Sequence, residues 1–291
     1  MKFILKISLA CTVVFGLTAC SNDDEATHND PPGANLIIRF AFDENQARLD
    51  NLGQVSTIPA GNAAQTPAFN SMSAHYIELA PNALTALGAG EIVYQGAETS
   101  LGGSAAIDFD QARVVAENQQ FLSIPIAQVT AGTYEWVRTS LSYQNYKIDV
   151  LQSDQTFNGT LASFVGFNNY ITSFLVNTET VTVNNDVLQG FWAFEVAGQL
   201  FQGQAPQGAT TVPNPLFATS PIPQGSCVVK GQFSTPLTIT GNETDDVLVT
   251  LSLSINNSFE WQEVNTDGQY EPAAGEQVVD MGFRGLVPTV N

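Results

Sequence analysis

Residues 247–255 read Val-Leu-Val-Thr-Leu-Ser-Leu-Ser-Ile, and this stretch decides the fold class. Apolar side chains stand at every second position from Val247 to Ile255, and hydroxyl side chains occupy most positions between them. Leu248 is the one exception. Because side chains of a β-strand point alternately to two faces, the pattern predicts a strand with one buried face.

Short runs of β-branched and aromatic residues recur on both sides of this stretch, separated by Gly, Pro, Asn and Asp. They predict further strands near 36–42, 74–79, 91–95, 121–126, 133–150, 157–167, 170–177, 180–184, 188–196, 226–233 and 236–240. Asn158-Gly159 predicts a hairpin turn, because both residues tolerate positive φ. Pro81 to Leu87 predicts one short helix, with Pro at its start and Gly88 after its end. The chain is therefore predicted to be all-β, an antiparallel β-sandwich with long loops and little helix.

The first residues carry a secretion signal. Two lysines and a short apolar run precede Leu17-Thr18-Ala19-Cys20, and the run is shorter than the roughly 20 residues that span a bilayer. This pattern resembles the signal of bacterial lipoproteins, which implies a signal peptide over 1–19 and lipidation of Cys20. An ordinary signal peptide with a chance cysteine is the alternative.

The domain organisation follows from this signal and from the prolines after it. Residues 20–34 are acidic and end in a proline-rich stretch, which predicts a tether, and residues 35–291 form the predicted β-sandwich body. Two β subdomains split near 151–156 are the alternative. The acidic run 21–25 resembles the surface-export signal of Bacteroidota lipoproteins. That resemblance implies an outer-membrane protein that is anchored through Cys20 and exposed at the cell surface.

Charge and cysteine content narrow the function. The chain has 28 acidic residues against 9 Lys and Arg, with a net charge of −19. Such a chain repels phosphates, so nucleic acid is excluded as a partner.

Outside the signal and the anchor the only cysteine is Cys227, so no intrachain disulfide is predicted. Cys227 is expected to be a small buried apolar residue.

Two later segments carry a family resemblance. The segments are Thr130–Trp136, with its Ala-Gly-Thr-Tyr strand opening, and Gln189–Phe194, with Gly-Phe-Trp-Ala-Phe. Together with the order of strands over 35–265, they resemble MbnP-like β-sandwich proteins, whose best-known member binds copper. Residues 278–286 are similar to uncharacterised Bacteroidota lipoproteins, a likeness that implies no function.

The MbnP-like resemblance implies a copper site, and copper prefers imidazole and thioether ligands. Met72 and His75 are the candidate pair. Their spacing of three would place them on opposite faces of a strand, which favours a structural methionine and histidine instead.

A calcium site is the stronger metal hypothesis. Side chains that carry oxygen atoms stand at every second position on both sides of Gly268, and one more acid follows downstream. The candidate calcium ligands are Glu263, Asn265, Asp267, Gln269, Glu271 and Asp280. Calcium takes six to eight oxygen ligands, and a glycine at the sixth position lets the loop turn sharply. The usual bidentate acid at position twelve is replaced by Ala274, so an ordinary acidic turn at Asp267-Gly268 is the alternative.

No enzyme signature is present in the sequence: there is no nucleophile elbow, phosphate-binding glycine loop or zinc-type histidine pair. Trp136, Trp192 and Trp261 are expected to fill the sandwich core, with sugar stacking as the alternative. Phe167–Tyr170 sets aromatics beside amides, which could bind a sugar, but two asparagines between strands also predict a plain turn. We therefore predict a non-enzymatic surface lipoprotein that serves as a binding or envelope component, with calcium as the candidate ion and an unknown protein or glycan partner. A copper-handling protein and a carbohydrate-binding accessory protein are the alternatives.

Overall fold

The structure is a computed structural model that describes residues 33–49, 54–205, 221–223 and 226–291. The predicted signal, Cys20, nearly all of the tether and most of the proline-rich loop 203–225 lie outside the described residues. Gly33–Asn291 forms one compact unit. Within the described ranges, no helix is long and apolar enough to cross a membrane.

The prediction of an all-β sandwich is confirmed, because the described residues form eighteen strands and only three single-turn 3-10 helices. The 3-10 helices are Phe109–Gln111, Ile126–Gln128 and Pro272–Ala274. In chain order the strands are β1 (Asn35–Asp43), β2 (Asn62–Gln65), β3 (Ala68–Ala80), β4 (Glu91–Gln95), β5 (Glu98–Thr99), β6 (Ala106–Asp108), β7 (Gln120–Pro125), β8 (Gly132–Gln152), β9 (Gln155–Phe164), β10 (Asn168–Val176), β11 (Glu179–Leu188), β12 (Phe191–Val196), β13 (Gln199–Gln204), β14 (Cys227–Ile239), β15 (Val247–Ser254), β16 (Phe259–Gln262), β17 (Val278–Met281) and β18 (Leu286–Val290).

The strands form four sheets. The large sheet has the order β13-β12-β9-β8-β3-β4, and β14 also pairs with β8. The 21 residues of β8 are long enough to pair with β14 over residues 132–141 and with β9 over residues 143–152, besides pairing with β3. The other sheets are β18-β15-β1-β7, β11-β10-β6-β5 and β17-β16-β2. Pairing is antiparallel except for two parallel ladders, β1 with β15 and β10 with β6.

The large sheet is covered on both faces, and strand alternation assigns each side chain to one of them. On β8, Tyr146, Ile148 and Val150 point to what we call the front face, where they pack with Phe259 of β16. Tyr143 points to the back face and packs with residues of β10 and β11. Residues 141–152 of this one strand therefore contribute side chains to two separate hydrophobic cores, one on each face of the sheet.

The alternating stretch behaves as its pattern predicts. Val249, Leu251 and Leu253 of β15 are fully buried, and β15 lies between β1 and β18. Their side chains join the largest hydrophobic core, together with Phe40 of β1. Burying three such side chains contributes roughly 1.5–3 kcal/mol each, which makes this strand a main source of stability.

Two local predictions are wrong. Asn158 and Gly159 lie inside β9, and the hairpin turns five residues earlier in the chain, at Ser153 and Asp154, whose φ angles are 52° and 60°. Both φ values are positive, as a two-residue type I′ turn requires. Gly159 has a packing role instead, because a Cβ there would lie 2.3 Å from Cζ of Phe194.

The predicted helix over residues 81–87 is a series of turns and bends. The buried carboxylate of Glu78 accepts hydrogen bonds from the backbone N–H groups of Gly88 (3.1 Å) and Gly90 (2.6 Å), which ties the segment to the large sheet. An isolated helix of two turns is marginal in water, so these tertiary bonds decide its conformation.

Candidate functional site

An apolar cavity of about 630 Å³ lies on the front face of the large sheet. One wall is formed by β8, β9, β12 and β13, and the other by residues between β16 and β17. Six aromatic side chains line it: Phe157, Trp192, Phe194, Phe201, Phe259 and Tyr270. Ligand pockets of proteins typically have volumes of about 300–1,000 Å³ and mostly apolar walls, so the cavity has the size of a small-molecule site.

The cavity wall comes from residues of one parity on neighbouring strands. Trp192 and Phe194 of β12 face the cavity, whereas Ala193 between them is buried in the back-face core. Phe194 stands directly opposite Leu161 of β9 on one side and Phe201 of β13 on the other. The three side chains make a continuous apolar floor, because directly paired residues of antiparallel strands point to the same face.

Two carboxylates and three glutamine residues stand among the mostly apolar walls: Glu276, Asp280, Gln152, Gln204 and Gln277. Glu276 is buried and accepts backbone N–H groups from Val264 at 3.1 Å and Glu271 at 2.6 Å. Asp280 forms an ion pair with Arg284. Burial raises the pKa of the Asp280 carboxyl, and the nearby Arg284 opposes that rise. No Lys, Arg or His side chain lines the cavity in the described part of the chain, so its charged lining residues are both acids.

A buried charge network supports the β16 wall. The Glu260 carboxylate accepts hydrogen bonds from Arg48 and from the Asn62 amide at 2.6 Å, and Arg284 approaches it at 3.4 Å. Arg284 also pairs with Asp280, so the network connects β16, β17 and the segment that follows β1. Two guanidinium groups and two carboxylates balance each other's charge in a site where Glu260 is only 4% exposed.

The structure separates the predicted calcium ligands into two places. Asn265, Asp267 and Gln269 lie in an exposed loop, where the Gln269 N–H donates to Asp267 at 2.9 Å and the Asn265 amide donates to Glu271. The Asp267 N–H donates to Glu263 at 3.2 Å. Asp280 instead pairs with Arg284 at the cavity. No group of three or more His, Cys, Asp or Glu that could hold a metal occurs among the described residues, and calcium binding stays a prediction.

The copper candidates also lie apart. Met72 is fully buried in the largest core, in front of the large sheet. His75 is buried too, but its Nε2 lies 3.1 Å from a Glu98 carboxylate oxygen and its ring contacts Phe167 edge-on, with centroids 5.6 Å apart. Desolvation by burial lowers the pKa of His75, while Glu98 opposes the shift. Both residues thus have contacts typical of structural side chains.

The tryptophans differ from the expected core role. Only Trp261 is fully buried, whereas Trp136 and Trp192 are half-buried. The Lys230 ammonium lies 5.2 Å from the Trp136 ring centroid, and Trp192 lines the cavity. Asn168 and Asn169, expected at a plain turn or a sugar site, are buried residues at the start of β10.

Cys227 has the expected apolar character. It is a free, partly buried cysteine beside the largest core, and burial raises the pKa of its thiol to about 12. The thiol is therefore protonated at neutral pH, the form in which cysteine is a poor nucleophile.

Sequence reasoning missed the cavity-lining aromatics Phe157, Phe194, Phe201 and Tyr270. Their alternation with small or polar residues was visible, but alternation alone predicts a buried face and not what covers it. The core beside the cavity combines residues of β8, β9 and β16, and Trp192, Phe194 and Tyr270 pack against it, so the cavity depends on segments that lie far apart in the sequence.

Comparison with protein-family models, with curated proteins and with solved structures finds no match to this chain. The fold and the site therefore define its class by themselves. It is a β-sandwich protein with a small-molecule-sized apolar cavity beside its large sheet.

Proposed function

We propose that this protein is a non-enzymatic, lipid-anchored binding protein of the bacterial cell surface, and that its cavity holds an apolar or amphipathic small molecule. The observation that carries the proposal is the cavity of about 630 Å³ with six aromatic side chains in its walls. Removing apolar surface from water is favourable by roughly 25 cal/mol per Å², so such walls bind apolar matter well.

The polar groups favour a particular kind of head group. Glu276 and Asp280 are the charged residues of the cavity lining, and both are acids. An anionic head group would meet the negative charge of Glu276, whose hydrogen-bond partners are backbone N–H groups, whereas a neutral hydroxyl or a cationic amine could donate a hydrogen bond to that carboxylate. The ligand class is therefore an acyl chain or ring system with a neutral or cationic head.

The non-enzymatic part of the proposal is supported by the same residues. Neither Ser, Cys nor His lines the cavity in the described residues, so a nucleophile paired with a histidine base is missing there. The Glu276 carboxylate accepts hydrogen bonds from two backbone N–H groups, and the Asp280 carboxylate pairs with Arg284. Such contacts are typical of carboxylates with a structural role.

A neutral fluorescent probe tests the cavity. In a Cys20→Ser background, which needs no detergent, N-phenyl-1-naphthylamine should bind with a saturable rise in fluorescence at one site per chain. Phe201→Ser should weaken this binding about five- to tenfold, because it removes one aromatic wall. Leu188→Ser is the matched control, since Leu188 is exposed and lies outside the cavity. Absence of saturable binding, or equal loss in the two variants, would refute the proposed cavity function.

The anchor is tested separately in cells. Wild-type protein should incorporate labelled palmitate, fractionate with the outer membrane and be cleaved by protease added to intact cells. Cys20→Ser should lose the label and the membrane association. A wild-type protein that takes up no label would contradict lipid anchoring without affecting the cavity result.

A further inference from the structure

A second depression lies on the back face of the large sheet, opposite the apolar cavity. It has a volume of about 730 Å³ and lies between β8–β9 and β10–β11. We call it the polar cleft and define it by Asn70, Phe109, Asn145, Lys147, Phe174 and Asn177. Asn145 and Lys147 alternate on β8 with Ile148 and Val150 of the cavity, so the two sites lie on opposite faces.

The charge of the polar cleft is opposite to that of the rest of the chain. No Asp or Glu lines it within the described residues, although the chain carries 28 acids. Lys147 is its one charged lining residue, is exposed, and makes no ion pair with any described residue. The acid that contacts the cleft residue Asn177, Glu195, is buried and also accepts the Gly198 N–H. The exposed Lys147 therefore favours a ligand with one negative charge, since a polyanion would be repelled by the net charge of −19.

The amides of the polar cleft are held in place by one another. The Asn70 side-chain N–H donates to the Asn145 carbonyl at 2.8 Å, and the Asn145 N–H donates to the Tyr143 hydroxyl at 3.2 Å. Burial raises the pKa of Tyr143 to about 12, so the phenol keeps its proton as a donor at neutral pH. On the other side, the Asn177 amide donates to the buried Glu195 at 2.9 Å. Fixed amides of this kind suit hydroxyl groups, which both donate and accept.

The floor of the polar cleft is aromatic. Phe109 is half-buried and packs on Tyr143 and Phe164 with ring centroids 5.0 and 4.9 Å apart. Phe174 also lines the cleft. An aromatic face carries partial negative charge and attracts the polarised C–H groups of a sugar ring, which adds to apolar burial. Amides, hydroxyls, aromatic walls and one cation together match a sugar that carries an acid group.

We propose that the polar cleft binds a saccharide with a single carboxylate, such as a terminal hexuronate, and that Lys147 pairs with this carboxylate. This site is distinct from the apolar cavity of the proposed function. Thr160 stands directly opposite Lys147 in the ladder and, with Ser173 and Thr180, offers hydroxyls to the sugar ring.

The test compares two β-1,4-linked disaccharides with the same ring stereochemistry, which differ only at C6 of one ring. Cellobiouronic acid carries the carboxylate and cellobiose does not. In the Cys20→Ser background, saturation-transfer NMR should detect binding of the acid, and isothermal titration should give it about fivefold higher affinity than cellobiose. The preference should decrease when salt is added, because the pair is exposed.

Lys147→Gln should abolish the preference for the acid, and Lys147→Arg should retain it. Lys230→Gln is the matched control, because Lys230 lies over Trp136 and outside the polar cleft. Neither disaccharide should displace N-phenyl-1-naphthylamine, which keeps the two sites distinguishable. Absence of binding by the acid, equal affinity for both sugars, an unchanged preference in Lys147→Gln, or displacement of the probe would overturn the proposal.

Discussion

Glu260→Gln should destabilise the protein more than any exposed carboxylate substitution. Glu260 is 4% exposed, and its carboxylate faces Arg48, which is 8% exposed, and Arg284. Glutamine has nearly the same shape, so the change removes the charge and leaves the buried Arg48 and the partly buried Arg284 with Asp280 alone. Breaking a buried ion pair by removing one partner costs about 3–5 kcal/mol.

This magnitude is large beside the total stability of a domain, which is about 5–15 kcal/mol. Urea denaturation followed by tryptophan fluorescence measures this loss, since Trp261 is the next residue of β16 and is fully buried. Asp267→Asn is the control, because Asp267 is exposed and lies in the loop. Its unfolding free energy should change by less than about 0.5 kcal/mol.

A double substitution separates lost charge balance from lost packing. If unpaired guanidinium charge is the cause, replacing Arg48 and Glu260 together by Met and Leu should cost less than Glu260→Gln alone. A loss below about 1 kcal/mol for Glu260→Gln, or a double variant that is less stable than the single one, would refute the reasoning.

Two further predictions concern the core and the buried histidine. Leu251→Ala should lower the unfolding free energy by about 2–5 kcal/mol, and Leu248→Ala, on the other face of β15, by about 1 kcal/mol; equal losses in urea denaturation would contradict the face assignment. Burial lowers the pKa of His75, so the unfolded chain takes up this proton at higher pH than the folded one. Stability should therefore fall as pH decreases from 7 to 5, and less so in His75→Gln; parallel pH profiles of the two proteins would show that His75 is not responsible.

Much of the strand arrangement follows from local sequence. Val247–Ser254, Glu91–Gln95 and Gly132–Gln152 are close to their predicted bounds, because period-two alternation and β-branched residues act within a few neighbours. Predictions that depended on a single dipeptide or a short segment failed. Asn158-Gly159 carries a strong turn signal, yet the ladder with β8 and the packing of Phe194 hold it inside β9.

The functional sites depended on tertiary structure in a different way. Asp280 follows the calcium-like loop in sequence, but the guanidinium of Arg284 pairs with it and draws it toward Glu260. Lys147 and Asn177 lie thirty residues apart, and neither has any motif. They line one cleft because β8 and β10 pack against each other across the back-face core.

The sequence by itself determined that the chain is all-β and which side chains share a face of each strand, since alternation is a property of the extended backbone. Only the tertiary structure decided which faces are filled and which remain open as a cavity or a cleft. Filling depends on how closely distant segments approach, such as β12 with Trp192 and the loop with Tyr270, which pack against the same core, and no local pattern records that distance.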